Sequence, residues 1–255
     1  MNYLEQIIET KKSEVEKLDS LDNYKRKVKE NTRTDIRKIE WTNNLDVIAE
    51  IKRKSPSKGE LAQIVDPCAL AKKYEQGGAA LVSVLTDEEY FGAKTDDLAN
   101  VRNSIKLPVL RKDFIVDERQ IFQSYLMGAD AILLIIDAIG NEKLAIFYKL
   151  AKSLGLEVLV EAHDSSQYKY ANEIIGANLI GINTRDLKTF KEDTQAMKYI
   201  LLNRNKDIVN VWESGISTIS DAQVANEYGA DALLIGQALV QSGNSIKFIK
   251  DIRHI

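Results

Sequence analysis

The chain has 255 residues, 44% of them hydrophobic, which excludes the composition of a disordered protein and suits one large α/β domain as readily as two small ones. One cysteine, Cys68, and two histidines, His163 and His254, exclude an intrachain disulfide and a structural zinc site, so no metal is expected. A formal charge of −3 provides no global field for nucleic acid, and the apolar run Ala131 to Ile136 falls far short of the ~20 residues that a membrane-spanning helix needs, so neither nucleic acid nor membrane is an expected partner.

The first segment sets Leu4, Ile7, Ile8, Val15 and Leu18 on one face among Glu and Lys, the pattern of an amphipathic surface helix. Glu5, Glu9, Glu14 and Glu16 within it oppose a signal-peptide reading, and the expected location is the cytoplasm. Leu21 to Glu40, with basic residues clustered from Lys25 to Lys29, reads as a solvated connector without chemistry. Residues 1–45 thus form a helical extension.

From Asp46 onward, short β-branched and Leu-rich runs alternate with longer amphipathic stretches. The runs predict eight strands: Val47 to Ile51, Leu81 to Leu85, Pro108 to Leu110, Ile132 to Ile136, Val158 to Val160, Leu179 to Ile182, Ile208 to Val211 and Ala232 to Ile235. Helix starts are signalled by Asp66 before Pro67, then by Thr95, Asp117, Asn141 and Asp164, each able to accept a bond from a free first-turn N–H. Gly78-Ala79-Ala80-Leu81, Gly128-Ala129-Asp130-Ala131, Gly176-Ala177-Asn178-Leu179 and Gly229-Ala230-Asp231-Ala232 recur at intervals of 50, 48 and 53 residues. Each glycine is placed to end a helix in the left-handed conformation and feed an even-numbered strand. Four such quarters predict a (β/α)₈ barrel over a single domain, residues 1–255 including the extension; the alternative is a doubly wound open sheet.

In such a barrel the active site lies at the C-terminal ends of the strands, so the polar residues that terminate apolar runs carry the information. Strand 1 continues to Glu50 and Lys52 on one face, strand 3 ends Arg111-Lys112-Asp113, strand 5 ends at Glu161, strand 6 adds Asn183 and Arg185, and strand 7 ends Trp212-Glu213-Ser214. Their convergence on one rim would shift their pKa values. Glycine turns follow strands 7 and 8, at Gly215 and at Gly236-Gln237, where backbone N–H groups commonly bind phosphate; Lys54, after strand 1, is available to join them. A phosphorylated small molecule is the expected partner.

These residues carry a resemblance. The run Ile48-Ala49-Glu50-Ile51-Lys52-Arg53-Lys54-Ser55-Pro56-Ser57-Lys58-Gly59 is similar to the signature of the indole-3-glycerol-phosphate synthase family of tryptophan biosynthesis. Ser83-Val84-Leu85-Thr86, Tyr90-Phe91-Gly92, Pro108 to Phe114, Gly181-Ile182-Asn183-Thr184-Arg185-Asp186-Leu187 and Glu213-Ser214-Gly215-Ile216 extend the similarity along the chain. The resemblance implies closure of the indole ring of 1-(2-carboxyphenylamino)-1-deoxyribulose 5-phosphate, with loss of CO₂ and water and without metal or organic cofactor. It implies Lys112 as the acid at the C2′ carbonyl and Glu161 with Lys52 in the later proton transfers, their division left open. Glu50 would hold the lysines, and Asn183, Glu213 and Ser214 complete the catalytic set. Lys52, Asn183 and Arg185 would receive the aromatic carboxylate, and Phe91, Phe114 and Leu133 the ring. Ser55, Lys54, Gly215, Gly236 and Gln237 would bind the rest of the substrate, the last four at its phosphate. Association with other enzymes of the pathway is left open.

The sequence departs from the family pattern at Ala93-Lys94, Gln237 and Trp212, the last turned by strand alternation toward the helix layer. Two other readings compete: a different phosphosugar barrel such as phosphoribosylanthranilate isomerase, disfavoured because Cys68 precedes a helix and strands 1 and 5 end in Glu, and a catalytically silent barrel, disfavoured by the cost of keeping buried charges without a use.

Overall fold

The computed structural model describes residues 2–56, 59–61, 64–183, 185 and 194–255. Ser57 and Lys58 of the first motif, and Thr184, Asp186 and Leu187 of the later one, lie outside the described residues.

Eight parallel strands close into a barrel: β1 (Asp46–Ile51), β2 (Leu81–Leu85), β3 (Val109–Lys112), β4 (Ala131–Ile135), β5 (Glu157–Ala162), β6 (Leu179–Asn183), β7 (Val209–Glu213) and β8 (Ala232–Ile235). Closure is made by β1, which pairs Asp46 with Ala232 of β8 on one side and Ile48 with Leu81 of β2 on the other. The open-sheet alternative is therefore overturned. Strands β3, β5, β6 and β7 run one or two residues beyond their apolar cores, because the ladder continues through Leu85–Lys112, Ile135–Glu161 and Asn183–Glu213. The charged residues consequently stand on strands rather than on loops.

Alternation explains why the strands read as unbroken apolar runs. Ile48, Leu81, Leu110, Leu133, Leu159, Val211 and Leu234 fill the barrel interior, while Val47, Val82, Ile132, Val158, Ile180 and Leu233 pack outward against the helices. Trp212 joins the outward layer, as its register predicts, and donates its indole N–H to the Ser214 carbonyl at 3.0 Å.

The repeated glycines Gly78, Gly128, Gly176 and Gly229 all adopt positive φ, between 71° and 91°, and each turns the chain into an even-numbered strand. The aspartates of the repeat add a second function: Asp130 Oδ2 accepts from the Val109 N–H at 3.0 Å, and Asp231 Oδ2 from the Asn210 N–H at 2.8 Å, so each ties the start of one strand to that of its predecessor. Asp66, Asp117 and Asp164 cap their helices as expected. Two expected starts are corrected. The helix near Thr95 begins at Asp97, after Asp96, without a side-chain cap, and the helix after β4 begins already at Ile136; Asn141 lies within it, beyond a break where Gly140 takes φ 73°.

The extension supplies α1 (Tyr3–Glu16) and α2 (Leu21–Glu30). Asn2 and Glu5 form a capping box at the start of α1, and Leu4 and Ile7 pack into the same cluster as Phe114 and the upper barrel interior, so α1 lies across the mouth. The stretch after α2 is not merely solvated. Arg33 and the Arg37 N–H converge on the buried Asp130 carboxylate at 3.2 and 3.0 Å, together with Arg102 at 3.1 Å, which pins the connector to the opposite end of the barrel.

Candidate active site

The inward positions at the C-terminal ends of alternate strands bring a charged cluster together. Glu50 on β1, Lys112 on β3, Glu161 on β5 and Glu213 on β7 all point into the mouth, where the Lys112 ammonium lies 3.4 Å from Glu213, 3.7 Å from Glu50 and 3.9 Å from Glu161. Lys52, one turn of the pleat beyond Glu50, pairs with the other oxygen of that carboxylate. Asn183 on β6 donates from Nδ2 to Glu161 at 3.1 Å; its Oδ1 accepts from the Ser214 hydroxyl at 2.9 Å and from the Arg185 N–H at 3.0 Å.

Glycines make this convergence possible. A Cβ at Gly181 on β6 would overlap Glu213 Oε1 and lie 2.9 Å from its Cδ, and one at Gly236 would overlap Glu50 Oε1 and lie 3.3 Å from Lys52 Nζ. Both residues leave room for a carboxylate from a neighbouring strand. Ser214, by contrast, holds φ 70° without being glycine and is followed by Gly215 at φ 78°, a sharp turn that bends the chain around the rim.

The electrostatics follow from burial and from neighbours. Burial works against the Lys112 charge, but Glu213, Glu50 and Glu161 outweigh it and hold the ammonium protonated above the ordinary lysine range. Burial likewise opposes the Glu50 charge and is outweighed by Lys52 and Lys112, which keep this carboxylate below its ordinary value. Glu213 goes the other way: burial, and next the Glu161 carboxylate, push it well above the usual carboxylate range despite Lys112. An ammonium favoured in its charged form, a Glu50 carboxylate held low and a Glu213 carboxyl pushed high therefore share one small volume.

Two connected recesses meet at this cluster and share Glu50, Lys52, Ser55, Lys112, Arg185 and Ser214. One is walled by Phe91, Phe114, Leu133 and Ile135, with the Phe91 and Phe114 ring centroids 6.2 Å apart, and also reaches Glu161 and Asn183. The other is lined by Gly215, Ile216, Gly236 and Gln237. The structure thus gathers all the sequence-predicted residues but one. Lys54 borders neither recess: its ammonium donates to the Glu89 carbonyl, and the side chain flanks an outer groove with Arg53 and Lys94. Lys54 belongs to a two-residue ribbon pairing it with Glu60, and that ribbon directs it away from the rim; Lys52, like Lys112, reaches both recesses.

The sequence reading gives no role to Gly181, Asp87, Asp113 and Lys11, which surround the cluster. Gly181 was legible as a glycine inside an apolar strand, the mark of a close approach. Lys11 was legible too, as a charge in the stripe that Leu4, Ile7, Val15 and Leu18 define.

A closed (β/α)₈ barrel with a lysine–carboxylate cluster at the C-terminal mouth defines an acid–base enzyme of the barrel class. The profile of the family described as Indole-3-glycerol phosphate synthase matches residues 4–252, and the chain belongs to that family. It is 41% identical over 255 residues to an indole-3-glycerol phosphate synthase of Exiguobacterium sibiricum, covering 100% of this chain and 98% of the relative. It is 40% identical over 251 residues to that of Chloroherpeton thalassium, covering 95% and 96%. A solved structure of 3-hexulose-6-phosphate synthase superposes with a TM-score of 0.64 at 14% identity, over 82% of this chain and 99% of that one, a likeness of fold.

Proposed function

We infer that the chain is an indole-3-glycerol phosphate synthase, a carbon–carbon lyase that closes the indole ring of 1-(2-carboxyphenylamino)-1-deoxyribulose 5-phosphate with loss of CO₂ and water. The observation that carries the assignment of roles is the position of Lys112. Its ammonium stands at the junction of an aromatic recess and a glycine-lined recess, as an acid must if it is to reach the carbonyl in the middle of a substrate with an aromatic ring at one end and a phosphate at the other.

In this reading the ring lies between Phe91 and Phe114 over Leu133, with its carboxylate toward Lys52 and Arg185, whose planar fork suits that group. Phosphate occupies the recess of Gly215, Gly236 and Gln237, with Lys52 contributing charge in place of Lys54. Lys112 donates to the C2′ oxygen as the ring carbon bearing the carboxylate attacks C2′, so the developing alkoxide is neutralised while the new carbon–carbon bond forms. Departure of CO₂ leaves its bonding electron pair in the ring and restores aromaticity. The C2′ hydroxyl then leaves as water after accepting a second proton, from Lys52, and Glu161, oriented by Asn183, takes the proton that C1′ releases as the ring double bond forms. Glu50 fixes Lys52 and Lys112, and Ser214 fixes Asn183.

No helix among the described residues is long and apolar enough to cross a membrane. The proposed setting is the cytoplasm, with the small phosphorylated substrate as partner and neither nucleic acid nor membrane engaged. The test is direct: purified protein mixed with the carboxyphenylamino-deoxyribulose phosphate should develop indole fluorescence, and a preparation of folded protein that yields none contradicts the reading.

A further inference from the structure

Among the described residues, Lys11 is the most buried cation outside the charged cluster, with 1% of its side chain exposed. It projects from α1 between two loops of the barrel mouth. Its ammonium contacts Asp87 Oδ2 at 2.7 Å, Asp113 Oδ1 at 3.0 Å and Glu14 Oε2 at 2.8 Å. Each aspartate in turn holds an aromatic wall. Asp87 Oδ1 accepts from the Tyr90 N–H at 2.6 Å and the Phe91 N–H at 3.2 Å, capping the short helix that carries Phe91. Asp113 Oδ1 accepts from the Phe114 N–H at 2.8 Å, its Oδ2 is fixed by Arg111 at 3.0 Å and Thr86 at 2.6 Å, and its neighbour in the chain is Lys112. Thr10, beside Lys11, meets the Tyr90 hydroxyl at 3.0 Å.

We propose that Lys11 is a positioning residue for ring binding: bridging Asp87 and Asp113, it sets the distance between Phe91 and Phe114 and so couples α1 to the aromatic recess. The proposal rests on the reading of that recess as the site of the aminobenzoate ring. Stability alone gives little reason for a lysine here. Its stripe position on α1 is otherwise Leu, Ile and Val, and a buried cation with its carboxylates is commonly no more stable than well-packed apolar residues, whereas it does fix geometry. The two Asp87 oxygens have separate tasks, one for Lys11 and one for the Phe91 segment, so removing the ammonium leaves the segment capped, and joined to β3 through Thr86, but without the ionic bridge from Asp87 to Asp113.

The experiment compares full-length wild type with Lys11→Met, which keeps the length of the stem and removes the charge. Binding of anthranilate is read by calorimetry, competitive inhibition by inorganic phosphate by its Ki, and turnover by kcat/KM. A displacement of a ring wall by ~1 Å costs up to about 10²-fold in rate, so kcat/KM and anthranilate affinity should each fall by at least about tenfold, with the phosphate Ki within about twofold of wild type. Lys11→Arg should recover part of the anthranilate affinity. Unchanged anthranilate affinity and turnover overturn the proposal, and so does an equal loss at both ends, which marks a general loosening. Should Lys11→Met fail to fold, Asp87→Asn leaves Lys11 paired with Asp113 and Glu14 and is judged by the same split. Wild-type protein that forms no indole contradicts the functional reading instead, and the anthranilate-against-phosphate split still decides the role of Lys11.

Discussion

The Lys112 ammonium lies 3.4 Å from the Glu213 carboxyl, closer than to either of the other two carboxylates around it. Glu213 is buried beside Glu161 and is pushed up the pH scale, whereas Glu50, which also faces the ammonium, is held below its ordinary value. The opposite directions come from different neighbours, Lys52 beside Glu50 and Glu161 beside Glu213.

Glu213 makes stability pH-dependent with a definite sign. Its folded-state pKa is raised, so above the ordinary value of 4.5 the folded protein retains a proton that the unfolded chain releases, and stability falls as pH climbs through the interval between the two values. Glu213→Gln removes this term. Denaturant unfolding between about pH 5 and pH 8 should show the variant gaining stability relative to wild type as pH rises. Parallel curves for the two proteins would mean that Glu213 is ionised throughout.

Gly181→Ala tests whether space at the barrel interior sets the position of Glu213. The added methyl overlaps Glu213 Oε1 and comes within 3.2 Å of Leu159 Cδ1, so the carboxyl must move. Overpacking of this kind costs about 1–3 kcal/mol of stability. Displacement of Glu213 from Lys112 should lower kcat by about 10- to 100-fold with a smaller change in KM, measured at a temperature where the variant stays folded. Normal kcat would separate Glu213 from the chemistry.

Lys52 and Lys54 of the first motif should behave differently. Lys52→Ala removes a charge that borders both recesses and should raise KM and the Ki of inorganic phosphate together, by at least about tenfold for one charge-assisted contact. Lys54→Ala, whose ammonium is turned to the Glu89 carbonyl, should leave the phosphate Ki within about twofold. A large effect at Lys54 would place it on the ligand after all.

At the far end of the barrel, Asp130 receives Arg33, Arg102, the Arg37 N–H and the Val109 N–H while wholly buried. Asp130→Ala removes the buried partner of Arg33 and Arg102, leaving them the exposed Asp35 as carboxylate partner, and should cost about 3–5 kcal/mol in urea unfolding, with the active-site residues untouched. A loss below about 1 kcal/mol would show the connector to be held by other contacts.

The barrel was legible because its strands are buried on both faces and its helix ends are marked by repeated glycines, two signals that reinforce each other. The site was legible in part, because a charge at the end of an apolar strand stands out against its neighbours. Strand ends were read too short, since composition shows where side chains turn polar and not where backbone pairing stops: Lys112, Glu161 and Glu213 still pair. Lys54 was expected beside the phosphate, but it stands in the ribbon with Glu60 and borders neither recess, a placement no local pattern announces. Lys11 was passed over because a helix face was read for its apolar members; its meaning depends on Asp87 and Asp113, some 76 and 102 residues away.

Lys112→Ala addresses the central claim most directly. If the ammonium donates to the C2′ oxygen only as the ring closes, its interaction is stronger in the transition state than in the bound substrate, so its loss falls on kcat. The measurement is steady-state indole-glycerol phosphate formation by wild type and Lys112→Ala. The account predicts a fall of about 10² to 10⁴ in kcat with KM changed much less, whereas a kcat near wild type would contradict the assignment of the acid even with the activity intact.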